Sequence, residues 1–169
     1  APALAEYFKS LNLENVVVVS PDLGGVTRAR NMADLLGTGI AIVEKRRPRP
    51  GCAEVMNLIG DVKGKTCIMI DDMVDTAGSL CEGAKALMKL GAKDVYACCS
   101  HGILTDPATQ RIQDSCIKQL VITNTIPVDP KKKCEKIVSI SLAPMLADFI
   151  KCIYENQPVS NLFNKKWGK

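Results

Sequence analysis

Five short runs of β-branched and aliphatic residues recur along the chain: VVVVS at 16–20, IAIVE at 40–44, TCIMI at 66–70, VYACCS at 95–100 and LVITN at 120–124. Each is apolar at consecutive positions, so a strand built from it must be covered on both faces. Helical patterns lie between most of these runs. That alternation predicts an α/β fold, a mostly parallel sheet flanked by helices. One helix is expected over Arg28 to Leu36. A second is expected to open on a capping box of Ser79 and Glu82, run through Ala84, Leu87 and Met88, and stop at Gly91. A third should begin near Asp106-Pro107, with Asp as cap and Pro at the first helical position, and a last one should cover Pro144 to Tyr154. The length of 169 residues fits a single domain over 1–169.

Composition narrows the function classes. The chain is 47% hydrophobic and 24% charged, which is globular. No apolar run reaches the roughly 18–20 residues of a membrane span, and APALAEYFKSLNLEN lacks the basic and apolar regions of a secretory signal. Of eight cysteines, Cys67, Cys98, Cys99 and Cys152 sit in apolar segments and none form a CxxC pair, which suits reduced thiols in a cytoplasmic protein. The formal charge of +4 is mild but clustered, at Lys45, Arg46, Arg47 and Arg49, at Lys131 to Lys133, and at Lys165, Lys166 and Lys169.

Three segments directly behind strand-like runs carry chemistry, at the edge where open α/β sheets bind ligands. The first is IDDMVDTAGS, 70–79. Its loop Asp75, Thr76, Ala77, Gly78 and Ser79 offers small side chains and successive backbone N–H groups ahead of a helix, the arrangement that holds a phosphate. Asp71 and Asp72 can accept hydrogen bonds from vicinal sugar hydroxyls or hold Mg²⁺. The pattern suits a sugar phosphate with a divalent cation nearby, and it lacks the lysine motif of a P-loop. Aspartates of this kind also serve as solvated turn and cap residues. The second segment is SPDLGGVT, 20–27, where Gly24 and Gly25 let the backbone approach an anion and Asp22 can hold a metal; the same residues also make a plain strand-to-helix turn. The third is KRRPRP, 45–50, whose cations can clamp a polyphosphate in a loop able to act as a lid. A solvated basic loop or a nucleic-acid patch is the alternative, but no aromatic surface is interleaved with it to bind single strands. His101, the sole histidine, follows the fourth run and fits a hydrogen-bonding role better than acid–base chemistry, since no Cys, Ser or acid accompanies it in a catalytic arrangement.

VVVVSPDLGGVTRARNMADLL, EKRRPRPGCAEVMNLIGDVKGKTCIMIDDMVDTAGS, DVYACCSHGIL, VITNTIP and PVSNLF together resemble, in order and spacing, the carboxyl-terminal half of the class I ribose-phosphate pyrophosphokinase (phosphoribosyl pyrophosphate synthetase) family. The resemblance covers nearly the whole chain and implies a type I phosphoribosyltransferase fold. It further implies Mg²⁺-dependent transfer of the β,γ-diphosphoryl group of ATP to the 1-hydroxyl of ribose 5-phosphate, for nucleotide biosynthesis. Under it, Asp71 and Asp72 meet the ribose hydroxyls; Asp75, Thr76, Ala77, Gly78 and Ser79 hold the 5-phosphate; and Gly24 and Gly25 line the pyrophosphate side with Asp22 near the metal. Lys45 and Arg47 act on the transferring phosphates. Members are homo-oligomers, commonly hexamers, with a regulatory nucleotide site to which Ser160 is a candidate contributor; nucleic acid and membrane are not expected partners. The family's amino-terminal domain, with most adenine contacts, lies outside the resemblance. Two rivals remain, a non-catalytic phosphoribosyl pyrophosphate-binding regulatory subunit and a nucleobase phosphoribosyltransferase. The cationic loop argues against the first, and the second usually carries a hood segment where only 15 residues precede the first run.

Overall fold

A computed structural model describes residues 1–46, 55–132 and 134–164. In chain order the elements are α1 (Pro2–Ser10), β1 (Val16–Ser20), α2 (Val26–Leu36), β2 (Gly39–Arg46), β3 (Val55–Ile59), β4 (Thr66–Val74), α3 (Gly78–Lys89), β5 (Asp94–Gly102), α4 (Ala108–Asp114), β6 (Ile117–Thr123), β7 (Ile137–Ile140), α5 (Ala143–Tyr154) and a closing 3-10 helix, Val159–Asn164. All five apolar runs are strands.

They belong to one seven-stranded sheet ordered β3-β2-β1-β4-β5-β6-β7. Every neighbouring pair is parallel except the β2–β3 hairpin. Because successive strand residues face opposite sides, each buried run feeds two cores. Val18, Ile68 and Ile70 pack against Phe8 of α1 and Met32 of α2. Val17, Val19, Met69 and Val95 face the other way, against Leu80 and Leu87 of α3 and Ile112 of α4. Burying each such side chain contributes about 1.5–3 kcal/mol, so the double cover accounts for the continuous hydrophobicity of the runs.

Helix ends follow local chemistry in one place and depart from it in two. At the end of α3, Gly91 takes φ +92°, and the N–H groups of Gly91 and Ala92 donate to the carbonyls of Met88 and Leu87 at 3.1 and 3.0 Å. This is the Schellman closure expected of a glycine there. The capping box does not form: α3 starts at Gly78, the N-cap is Ala77 in the left-handed region, and no side chain caps it, so Ser79 already lies inside the helix. Likewise Pro107 is the N-cap of α4 rather than its first helical residue, and Asp106 does not cap but pairs with Lys132 at 3.4 Å.

The described cysteines are all free thiols. Burial pushes the thiol of Cys67 up to about 11 and that of Cys99 up to about 12, which keeps both protonated and unreactive at neutral pH. Among the described residues no helix is long and apolar enough to cross a membrane.

Candidate active site at the switch point

From the central pair the chain winds outward in both directions, α2 carrying β1 to β2 and α3 carrying β4 to β5. The gap between β1 and β4 is therefore a topological switch point, where such sheets form a crevice beyond their carboxyl ends. Register places Val19 beside Met69, so the segments behind Ser20 and Ile70 leave the same edge as neighbours.

The first of these loops is held by its own residues. Ser20 Oγ donates to the Asp22 carbonyl at 2.6 Å, and the Gly25 N–H donates to Asp22 Oδ1 at 2.8 Å. One oxygen of Asp22 is thus spent inside the turn. A Cβ on Gly25 would lie 2.8 Å from Ser20 Oγ, so only glycine lets the chain close this tightly.

The second loop differs from its expected form. β4 runs on to Val74, pairing Asp71 with Cys99 and Met73 with His101, so both acids belong to the strand and not to the turn. Arg28, in the first turn of α2, reaches them: Nη1 is 3.0 Å from Asp71 Oδ1 and Nη2 is 3.0 Å from Asp72 Oδ2. Asp71 Oδ1 also accepts the Asp72 N–H at 2.8 Å, and Asp72 Oδ1 the Met73 N–H at 2.9 Å. The paired carboxyls divide. Burial, assisted by the neighbouring Asp72, pushes the Asp71 carboxyl above the ordinary carboxylate range. At Asp72 burial acts upward too, but the hydrogen bond from Asp71, the Arg28 guanidinium and the Met73 amide outweigh it and hold this carboxyl below that range. At neutral pH the edge carries acceptor oxygens suited to hydroxyl donors.

Beyond Val74 the turn 75–77 leads into α3 through Ala77 at φ +58°. The first helical bond runs from Cys81 N–H to the Ala77 carbonyl at 3.0 Å, so the N–H groups of Gly78, Ser79 and Leu80 precede the helical ladder at its positive end. Arg111 of α4 donates to the Thr76 carbonyl at 3.0 Å and tethers the turn from the far side. Two cations, Arg28 and Arg111, therefore organise this edge, and neither was singled out by motif. The only sequence signal for Arg28 is its position three residues after Gly25, because helical side chains lean toward the preceding turn.

Four further expected residues are Lys45, Arg47, His101 and Ser160. Lys45 lies in the β2 backbone opposite Met56, so the strand continues where a loop was expected. Since Ser20 pairs with Ile42, the backbone at Lys45 is carried three residues, about 10 Å, past the end of β1. Arg47 lies outside the described residues. His101 sits exposed at the end of β5 with Nδ1 2.9 Å from Thr125 Oγ1, a hydrogen-bonding role as expected. Ser160 is exposed on the closing 3-10 helix, which packs on α5.

Residues 45–164 match the model of the phosphoribosyl synthetase-associated domain family. The chain is 56% identical over 163 residues to a ribose-phosphate pyrophosphokinase of Bacillus caldolyticus, covering 96% of this chain and 52% of that protein. It is 54% identical over 163 residues to the ribose-phosphate pyrophosphokinase of Bacillus subtilis (strain 168), covering 96% and 51%. Its fold superposes on phosphoribosylpyrophosphate synthetase from Mycobacterium smegmatis with a TM-score of 0.80 at 38% identity, over 90% of this chain and 50% of the other. The chain spans about half the length of the curated relatives it matches. With that family model matched over most of its length, the chain belongs to the phosphoribosyl synthetase-associated domain family, and it is similar to ribose-phosphate pyrophosphokinases.

Proposed function

We propose that this chain forms the ribose 5-phosphate-binding half of a ribose-phosphate pyrophosphokinase, which transfers diphosphate from ATP to C1 of ribose 5-phosphate and releases AMP. The observation that carries the reading is one segment at the switch point, 71–78, which joins an acid pair suited to vicinal hydroxyls to a helix start suited to a phosphate, beside the glycine loop behind β1. Asp71 and Asp72 accept from the ribose hydroxyls, while the amides after Thr76 receive the 5-phosphate. Asp75 and Ala77 shape the turn that presents those amides. Gly24 and Gly25 admit the diphosphate side of the substrate close to the backbone.

Among the described residues no cluster of three His, Cys, Asp or Glu side chains forms a protein cage for a cation. Mg²⁺ usually takes one or two carboxylates and completes its shell with water and substrate phosphates. Asp22, with one oxygen committed to Gly25, would hold it through the other. When bound, Mg²⁺ neutralises charge on the phosphate oxygens. The remaining chemistry is positioning: the sugar 1-hydroxyl oxygen forms a bond to Pβ of ATP as the bond from Pβ to the α–β bridging oxygen breaks, the bridging oxygen leaving with AMP and the hydroxyl proton passing to solvent. Lys45 and Arg47 stabilise the negative charge of the moving group. Adenine is received by the half of the relatives' length that this chain does not span, and assembly into a homo-oligomer with a regulatory nucleotide near Ser160 follows the family pattern in the cytoplasm.

The test is ³¹P NMR with ATP, ribose 5-phosphate and Mg²⁺. The ribose 5-phosphate resonance should shift on titration with the wild-type chain and with Lys45→Ala, and should stay in place with Asp72→Ala. In an assembly that turns over ATP, Lys45→Ala should lower the rate by roughly 100-fold or more. Unchanged turnover in that variant would sink the proposed role of the lysine, and a normal shift with Asp72→Ala would sink that of the acid pair.

A further inference from the structure

Arg28 is placed against the preference of its own helix. It lies in the first turn of α2, where the aligned peptide dipoles disfavour a cation. What compensates is across the crevice, in the two ion pairs of 3.0 Å to Asp71 and Asp72. On a strand, side chains of adjacent residues ordinarily diverge to opposite faces. Here both converge on one guanidinium, and only a planar fork with two terminal nitrogens can take both at once; an ammonium is a single point charge. Gly25 borders both groups, since a Cβ built there would stand at ordinary contact distance from each, 3.5 Å from Arg28 Nη1 and 3.6 Å from Asp22 Oδ1. The guanidinium thus lies between the loop that carries Asp22 and the strand end that carries the acid pair.

We propose that Arg28 is a positioning residue that aligns Asp71 and Asp72 for the vicinal hydroxyls of the sugar and ties that recognition to the neighbouring glycine loop. The proposal rests on the ribose-phosphate reading of the site. Its consequence is selective: Arg28 governs contacts to the sugar hydroxyls, whereas the phosphate is held by the start of α3, which Arg28 does not touch.

The experiment compares wild type, Arg28→Lys and Arg28→Gln by calorimetric titration with three probes: ribose 5-phosphate, 2-deoxyribose 5-phosphate and inorganic phosphate, with thermal melting as the check on folding. Wild type should prefer ribose 5-phosphate over its 2-deoxy analogue by roughly 10-fold, the scale of one hydrogen bond to a charged group. Arg28→Gln should lose that preference while its affinity for inorganic phosphate stays at the wild-type value. Arg28→Lys keeps the charge but not the fork, so most of the loss should persist. Retained discrimination in Arg28→Gln, full rescue by Arg28→Lys, or an equal loss for all three probes in a folded variant would each overturn the role. If wild type itself fails to distinguish the two sugar phosphates, the ribose-phosphate reading falls, and the proposal falls with it.

Discussion

The two loops of the switch point do similar work by opposite means. The loop behind β1 is closed by partners two and three residues away, Ser20 to the Asp22 carbonyl and Gly25 to the Asp22 carboxylate. The segment behind β4 is organised from a distance, by Arg28 across 43 positions and Arg111 across 35. A loop that satisfies its own polar groups keeps its shape as long as its residues fit. One held by distant cations depends on how helices and strands are assembled around it. Damage to the first should therefore register as lost stability, and damage to the second as altered ligand recognition with modest loss of stability.

The harshest way to break this contrast is at Gly25. Gly25→Ala should cost about 1–3 kcal/mol through overpacking against Ser20 Oγ, measured as a shift in denaturant midpoint. Adding Ser20→Ala to it should recover part of the loss, because the clashing atom is gone. If the single variant were neutral, the loop would be more yielding than its hydrogen bonds imply. A smaller effect is expected at the other loop: Arg111→Ala leaves the Thr76 carbonyl to water and should cost about 0.5–1.5 kcal/mol by the same measurement. A loss matching that of Gly25→Ala would erase the distinction between the loops.

The subtlest effect is in pH. Asp71 binds its proton more tightly in the fold than in the unfolded chain, so it withdraws stability as pH rises through the acid range. Asp72 binds its proton less tightly in the fold, so it contributes stability above the ordinary carboxylate range that is lost as pH falls. Arg28 favours the ionised form of both. The melting temperature gap between wild type and Arg28→Gln should accordingly be widest at neutral pH and narrow in two stages as pH falls, first as Asp71 protonates above the ordinary carboxylate range and then as Asp72 protonates below it. A gap independent of pH would show that Arg28 acts through packing instead.

Much of this architecture is legible in residue order, because its signals are local. Consecutive apolar residues reveal doubly buried strands, and Gly91 marks the end of α3 because a left-handed residue must close that turn. β3 and β7 are harder to read: one is the outer strand of a hairpin and the other a short, partly buried edge strand, so neither needs an unbroken apolar run. The capping box at Ser79 fails for a related reason. Ala77 turns left-handed and starts α3 early, and the turn is steadied by Arg111 rather than by a side-chain cap.

The sequence by itself determined the α/β class, the five runs that became inner strands, and the kinds of group available behind them: acids, small residues and glycines. Those depend on side-chain period and turn chemistry within a few residues. Only the tertiary structure decided that β1 and β4 are neighbours, that Asp71 and Asp72 extend a strand, and that Arg28 and Arg111 meet the segment around them. Strand order is a property of how layers pack, and a contact across dozens of residues leaves no periodic trace in the chain that makes it.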